Sequence, residues 1–132
     1  MQVMNQYSRA THNGIVGERT AETILNVLVD PTALLDITPP RGPPVEVKTC
    51  QAWVKTAHTD NRRRRGRYNL DGIQHRALCK AGGYYLFVLL DDTGKPIEVS
   101  CLPASKVYHP SLQDKNTRVS LCWSKVIPSE VA

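Results

Sequence analysis

Several common functional signatures are missing from this sequence of 132 residues. No stretch approaches the roughly eighteen apolar residues that cross a membrane as a helix, and no basic-then-apolar segment opens the chain. There is no glycine-rich phosphate loop, no Gly-x-Ser-x-Gly motif and no histidine pair at metal spacing, so NTPase, triad hydrolase and zinc protease functions lack support. We therefore expect an intracellular protein without a membrane anchor, either cytoplasmic or associated with the nucleoid.

Paired cysteines are also missing. The four cysteines, Cys50, Cys79, Cys101 and Cys122, lie 21 to 29 residues apart, and none forms a Cys-x-x-Cys pair. Zinc sites and redox motifs need closer spacing. We expect four reduced thiols, mostly in the core.

Acidic residues are fewer than basic residues. The chain has 17 basic and 12 acidic residues, a formal net charge of +5 and a pI near 9.2. Such a balance suits a polyanionic partner, although it also promotes solubility. The length predicts one domain over residues 1–132.

The most informative strand candidate is 45–50. Its alternating β-branched residues predict a strand with Val45 and Val47 on one face and Glu46 and Lys48 on the other. A strand rises about 3.3 Å per residue, so this acid and base stand roughly 6.5 Å apart, where one ion or water could contact both. The alternative is an ion pair facing solvent.

A first helix is predicted from about Gly14 to Val29, after a loose arm of residues 1–12. Glu18 falls at the edge of its apolar arc. We therefore expect this carboxylate to point towards the core side. The alternative is an acid in the first turn that the helix dipole favours.

A second carboxylate interrupts the short apolar run 33–38, whose sequence is ALLDIT. The proline-rich segment 39–44 after it is predicted to be a turn. A hairpin through this turn would bring Asp36 beside Glu46. An aspartate in an apolar strand needs a cation or hydrogen bonds, unless Asp36 lies at a fraying strand end.

Residues 55–67 are predicted to form a basic loop. This segment holds five of the seventeen basic residues, namely Arg62, Arg63, Arg64, Arg65 and Arg67. A phosphate-binding flap is one interpretation of the loop, and an ordinary solvated loop is the other. Tyr68 at its end is expected either to stack on a base or sugar or to anchor the loop.

A second helix is predicted over 70–81, ending at Gly82-Gly83. Its apolar face consists of Leu70, Ile73, Ala77 and Ala81. Gln74 falls within this arc, so its amide must find backbone partners or line a polar site. Arg76 and Lys80, four residues apart, could contact phosphates, and His75 is expected on the surface.

The remaining segments predict mainly strands. Residues 84–90 (YYLFVLL) suit a central strand that is buried on both faces. A turn at 91–95 leads into an alternating strand over 96–102. Residues 103–109 predict a short turn or helix, and 117–123 predict a late edge strand.

Taken in order, these elements resemble the PD-(D/E)xK nuclease superfamily, whose pattern is an Asp, a turn and then Glu-x-Lys on the next strand. Within the superfamily, the chain is most similar to archaeal-type Holliday junction resolvases. The matching positions are Gly14, Glu18, Arg19, Asp36, Glu46 to Thr49, and Gln74. Leu35 stands where the superfamily name expects proline, and segment 55–67 is longer and more basic than is typical of resolvases.

The resemblance implies an α/β fold with a restriction-endonuclease-like α-β-β-β-α-β core, in which helices flank a central mixed sheet. It also implies hydrolysis of phosphodiesters with Mg²⁺, or Mn²⁺, held by hard oxygen ligands. The implied ligands are Asp36, Glu46, the Val47 carbonyl and Glu18. Lys48 would orient the attacking water and stabilise the pentavalent charge, and Gln74 would hold the water or a phosphate.

The leading hypothesis is a Mg²⁺-dependent DNA endonuclease that cuts branched duplex DNA as a homodimer in recombination or repair. A protomer with one site must pair to cut two strands symmetrically. The DNA-binding residues would be Arg62, Arg63, Arg64, Arg65, Arg67, Tyr68, Arg76 and Lys80. One alternative is a sequence-specific restriction- or homing-type endonuclease, and another is a non-catalytic nucleic-acid-binding module on the same fold.

Overall fold

The structure, a computed structural model, describes residues 12–20, 43–56, 62–109, 112 and 117–127. Most of the predicted arm, the second half of the first helix and segment 33–38 with Asp36 lie outside these residues. The hairpin that would join Asp36 to Glu46 therefore stays a prediction.

A three-stranded mixed sheet forms the centre of the described structure. Strands β1 (Val45–Gln51), β5 (Tyr84–Leu90) and β6 (Pro96–Pro103) lie in the order β1-β5-β6. β5 pairs in parallel with β1 and antiparallel with β6. Every residue of β5 after Tyr84 is buried, which confirms the prediction of a central strand covered on both faces.

Two short strand pairs extend the fold beyond β1. β2 (Trp53–Lys55) pairs antiparallel with β3 (Arg63–Arg65), and β4 (Arg67–Asp71) pairs antiparallel with β7 (Arg118–Cys122). Only Ala52 separates β1 from β2, and only Gly66 separates β3 from β4. The Gly66 N–H donates to the Ala52 carbonyl at 3.0 Å, so the two chain segments bend side by side at these residues.

The predicted loop over 55–67 is therefore wrong in part. Arg63–Arg65 forms strand β3, and Arg67 begins β4. Arginine has little strand preference of its own. What places these residues in a strand is backbone pairing with β2, which a local pattern does not reveal.

Two helices cover opposite faces of the sheet. Residues 12–20 form helix α1, and Gly72–Lys80 form helix α2. Val16 of α1 packs against a small cluster built from Val45, Val47, Leu86, Val88 and Leu90. Leu78 of α2 belongs to the larger cluster on the other face, which also contains Tyr85, Phe87 and Trp123. The mixed sheet with two helices is consistent with the predicted α/β class, while the full order of core strands stays a prediction.

Helix α2 is shorter than predicted and buries a different face. Its N-cap is Asp71, whose side chain accepts hydrogen bonds from the N–H groups of Ile73 and Gln74. Leu70 and Ala81, which the sequence assigned to the apolar face, lie outside the helix, and Ile73 is 52% exposed. The buried face is Gly72, His75 and Leu78.

Helix α1 approaches β1 very closely at Gly17. A β-carbon at this position would overlap the Thr49 side-chain oxygen, whereas one at Gly14 would meet nothing within 4 Å. The absence of a side chain at Gly17 therefore sets the distance between helix and sheet. None of the helices in the described ranges is long and apolar enough to span a membrane.

Gly17→Ala is expected to destabilise the fold by about 1–3 kcal/mol, because overpacking outweighs the gain in helix propensity. Gly14→Ala is the matched control, since it adds the same methyl group to the same helix in open space. Urea unfolding of the two variants measures both effects. Equal stability of the Gly17→Ala and Gly14→Ala variants would show that α1 does not pack against Thr49.

Candidate active site

Glu46 and Lys48 lie on the face of β1 that is turned towards α2. Glu46 is 5% exposed, and its Oε1 lies 3.6 Å from Lys48 Nζ. A carboxylate so deeply buried requires compensation by opposite charge or hydrogen bonds. The predicted acid-lysine pair is thus an ion pair between a buried carboxylate and a half-buried lysine, and the alternative of a solvent-facing pair is wrong.

Gln74 joins this pair from the first turn of α2. Lys48 Nζ donates a hydrogen bond to Gln74 Oε1 at 3.4 Å. The Asp71 cap accepts from the backbone N–H of the same glutamine at 3.2 Å, which fixes the start of the helix. Because the resemblance implies that Glu46, Lys48 and Gln74 act in phosphodiester hydrolysis, these three residues are called the hydrolytic cluster.

The structure shows less about the other predicted site residues. Glu18 is half-buried on α1, and Asp36 lies outside the described residues. Val47 has its side chain in the apolar cluster beneath α1, so only its backbone could serve an ion. No group of three His, Cys, Asp or Glu side chains at metal-binding distance occurs in the part of the chain that the structure describes.

A buried histidine lies beneath the hydrolytic cluster, contrary to the prediction that His75 is on the surface. His75 is 8% exposed, and its Nδ1 lies 2.9 Å from the hydroxyl of Tyr85, which is the β5 residue opposite Glu46. Cys79 Sγ lies 3.4 Å from Nε2. The three-residue spacing of Gly72, His75 and Leu78 could have predicted the buried face of α2. The longer apolar arc from Leu70 to Ala81 favoured a different face.

Burial keeps this pair neutral. Loss of hydration lowers the pKa of His75 and raises the pKa of Tyr85. Repulsion from the Cys79 thiolate, which forms only at alkaline pH, and from the Glu46 and Asp71 carboxylates raises the pKa of Tyr85 further. A neutral imidazole and a neutral phenol therefore share a hydrogen bond under the buried carboxylate.

The protein is expected to lose stability as the pH falls from about 6.5 through the lowered pKa of His75. Over that range the unfolded chain takes up a proton that the folded His75 does not, whereas above pH 6.5 the contribution is fully present. Urea unfolding between about pH 5 and 7.5 measures the slope. In His75→Leu this part of the slope should vanish, and an unchanged slope would contradict the assignment.

The arginines of β3 form an exposed basic surface. Arg63, Arg64 and Arg65 are all exposed. Arg63 pairs with Asp92 at 2.6 Å, and the Arg65 guanidinium lies 5.8 Å from the ring centre of Trp53 and 5.4 Å from that of Trp123. Arg62 and Arg67 extend the exposed surface on either side.

Of the two roles predicted for Tyr68, stacking on a base or sugar is wrong. Its side chain is 1% exposed, its hydroxyl donates to the Val88 carbonyl at 3.1 Å, and its ring packs 4.8 Å from that of Phe87. It therefore cannot stack on a base. Arg76 and Lys80 are exposed on α2, and their contact with phosphates stays a prediction.

Comparison with known proteins identifies the family. Residues 4–126 match the family model of the PD-(D/E)XK nuclease superfamily domain. No curated protein and no solved structure matches the chain. The family match covers nearly the whole sequence, including the strand that carries Glu46 and Lys48 and the helix that carries Gln74. The chain belongs to the PD-(D/E)XK nuclease superfamily.

Proposed function

We propose that the protein is a metal-dependent DNA endonuclease. The observation that carries the proposal is the hydrolytic cluster: a buried carboxylate, a lysine ammonium 3.6 Å away and a glutamine that accepts from the lysine. A purely structural ion pair would not need all three groups at the positions that the superfamily pattern assigns to the site. Superfamily membership supports nucleic acid as the substrate.

The donor set fits a hard divalent cation. Mg²⁺ and Mn²⁺ prefer carboxylate and carbonyl oxygens, and Glu46 offers a carboxylate that is shielded from bulk water. The residues proposed to hold the ion are Asp36, Glu46, the Val47 carbonyl and Glu18. When bound, such an ion neutralises a phosphate oxygen and lowers the pKa of water.

Lys48 and Gln74 then have separate roles. The Lys48 ammonium stabilises the negative charge that develops on the phosphate, and its half-buried position beside Glu46 strengthens this electrostatic effect relative to that of an exposed lysine. Gln74 accepts from Lys48 through its oxygen, which holds the lysine in place. Its amide N–H groups are donors, and we propose that they orient the attacking water or a phosphate oxygen.

Changing Arg62, Arg63 and Arg64 together to alanine is expected to flatten the salt dependence of DNA binding. The slope of log K against log salt should fall by about 0.9 for each phosphate of duplex DNA that the variant no longer neutralises. Arg65 is left intact because it packs against both tryptophans. The control removes the same charge elsewhere by changing Lys95, Lys106 and Lys125, and equal slopes for both triple variants would exclude a phosphate-binding role for the arginines.

We further propose that the substrate is branched DNA cut by a homodimer. The test is incubation with labelled four-way junction, flap, single-stranded and linear DNA, with and without Mg²⁺. Metal-dependent symmetrical cleavage of the junction is the expected result. Binding of every substrate with no cleavage of any would instead indicate a non-catalytic module.

One observation favours the second candidate, a sequence-specific endonuclease. The antiparallel pair β2–β3 carries exposed arginines, and the major groove of DNA admits a two-stranded ribbon whose arginines can read guanine. Preferred cleavage of one linear site over the junction would support this candidate and overturn junction selectivity.

A further inference from the structure

A polar pocket of about 250 Å³ lies at the end of β1, and Thr49 and Gln51 in its lining are on the face of β1 opposite the hydrolytic cluster. It opens between the first turn of α1, the end of β1, the bend from β3 to β4, and β7. Its polar lining includes Asn13, Gln51, Arg64, Arg67, Asn69 and Ser120. Neither Glu46 nor Lys48 lines it.

Strand alternation explains how the pocket forms. Tyr68 and Leu70 point into the large core, so Arg67 and Asn69 of the same strand point to the other face. Ser120 stands directly opposite Asn69 in the β4–β7 pair. These side chains thus gather on one surface although they are far apart in sequence.

Gly66 lets the walls of the pocket come together. A β-carbon at this position would overlap the Gln51 carbonyl oxygen, so only glycine allows β4 to begin this close to the end of β1. Thr49, also in the lining, faces α1, because its side chain meets Gly17. Lys48, the preceding residue, faces α2 and donates a hydrogen bond to Gln74. The pocket and the hydrolytic cluster are therefore separate sites on two faces of one strand.

The lining selects an anionic ligand with hydrogen-bonding edges. Besides the Cys50 thiol, Val54 and Gly66, it contains two guanidinium groups, three primary amides and two hydroxyls, and no carboxylate occurs among the described lining residues. Arginine binds phosphate through paired N–H donors, and Asn and Gln match the donor and acceptor pattern of a base edge. Pockets for drug-sized molecules measure roughly 300–1,000 Å³, so this smaller space suits a single nucleotide.

We infer that this pocket binds one nucleotide of the nucleic-acid substrate, with its phosphate on Arg64 and Arg67 and its base edge on the amides. The inference rests on the proposed nuclease function and adds a second contact point to it. Thr49 follows Lys48 directly but points to the other face of β1, so the nucleotide is held across the strand from the hydrolytic cluster. The pocket would bind the nucleic-acid strand at a fixed position relative to the bond that is cut.

The test uses the full chain with Glu46→Gln and no divalent metal. Calorimetry compares a deoxynucleoside 5′-monophosphate, the matching deoxynucleoside and inorganic phosphate. The monophosphate is expected to bind most tightly. Arg67→Ala should weaken it about 10- to 100-fold, as expected for a charge-assisted hydrogen bond, and Asn69→Leu should weaken the monophosphate but not inorganic phosphate.

Arg118→Ala is the matched control, because Arg118 lies on the same β4–β7 ribbon, is exposed and does not line the pocket. Equal weakening by Arg67→Ala and Arg118→Ala would overturn the pocket assignment. So would absence of binding, or binding of inorganic phosphate as tight as that of the nucleotide.

The outcomes separate this inference from the nuclease proposal. Lys48→Met should leave nucleotide binding unchanged. If the unaltered chain cuts no nucleic acid while the nucleotide still binds with the variant pattern above, the nuclease proposal fails and the pocket stands. If the chain cuts DNA and Arg67→Ala changes neither KM nor nucleotide binding, the pocket inference fails and the nuclease proposal stands.

Discussion

Glu46→Gln is expected to lower nucleic-acid cleavage by at least about a thousandfold while binding of the same substrate persists. The amide keeps the shape of the side chain in its buried position but removes the negative charge that would attract a divalent ion. Loss of several kcal/mol of electrostatic stabilisation corresponds to this factor. Single-turnover cleavage and filter binding measure the two properties separately, and Mn²⁺ calorimetry should show the loss of the ion.

The matched control for this variant is Glu98→Gln. It makes the same change on β6, away from the hydrolytic cluster, and should cut at the rate of the unaltered chain. Undiminished cleavage by Glu46→Gln would remove this carboxylate from the proposed metal site. Cleavage lost together with binding would indicate instead that the variant has damaged the fold.

Lys48→Met should reduce the cleavage rate about 10²- to 10³-fold with a much smaller effect on KM. Methionine retains the length of the chain but not the ammonium group that lies 3.6 Å from Glu46 and bonds Gln74. The charge of the Lys48 ammonium stabilises the transition state, and removal of one preorganised donor typically lowers the rate by about 10²- to 10³-fold. Metal-saturated single-turnover kinetics provide the measurement.

Two further variants sharpen the result for Lys48. Lys48→Arg keeps the charge but replaces a compact ammonium with a planar fork, so it should recover little activity although its net charge is unchanged. Lys125→Met, at an exposed position, should be as active as the unaltered chain. Full activity of Lys48→Met would leave the lysine with a structural role only.

The sequence predicted those parts of the site that depend on local periodicity. The alternation in 45–50 placed Glu46 and Lys48 on one face, and β1 confirms it. Gln74 was singled out although both the limits of the helix and its buried face were predicted wrongly, and it is half-buried beside the observed face of Gly72, His75 and Leu78. Asp36 and Glu18 remain predictions as members of the site.

Other parts depend on contacts between distant segments, which periodicity does not encode. Arg63–Arg65 becomes a strand because β2 pairs with it. The alternation of Tyr68 and Leu70 was a usable strand signal, but the charged run before it favoured a loop. The pocket was not predicted, because its lining comes from six separate elements of the chain, namely α1, β1, β2, β3, β4 and β7.

The position of Arg65 provides an intrinsic fluorescence signal for the binding of a ligand to β3. Both tryptophans of the chain, Trp53 and Trp123, lie next to its guanidinium, and Arg64 is the adjacent residue. Indole emission responds to nearby charge, so docking of a polyanion on β3 should change the intrinsic fluorescence of the unlabelled protein. Association could then be followed in real time by stopped flow.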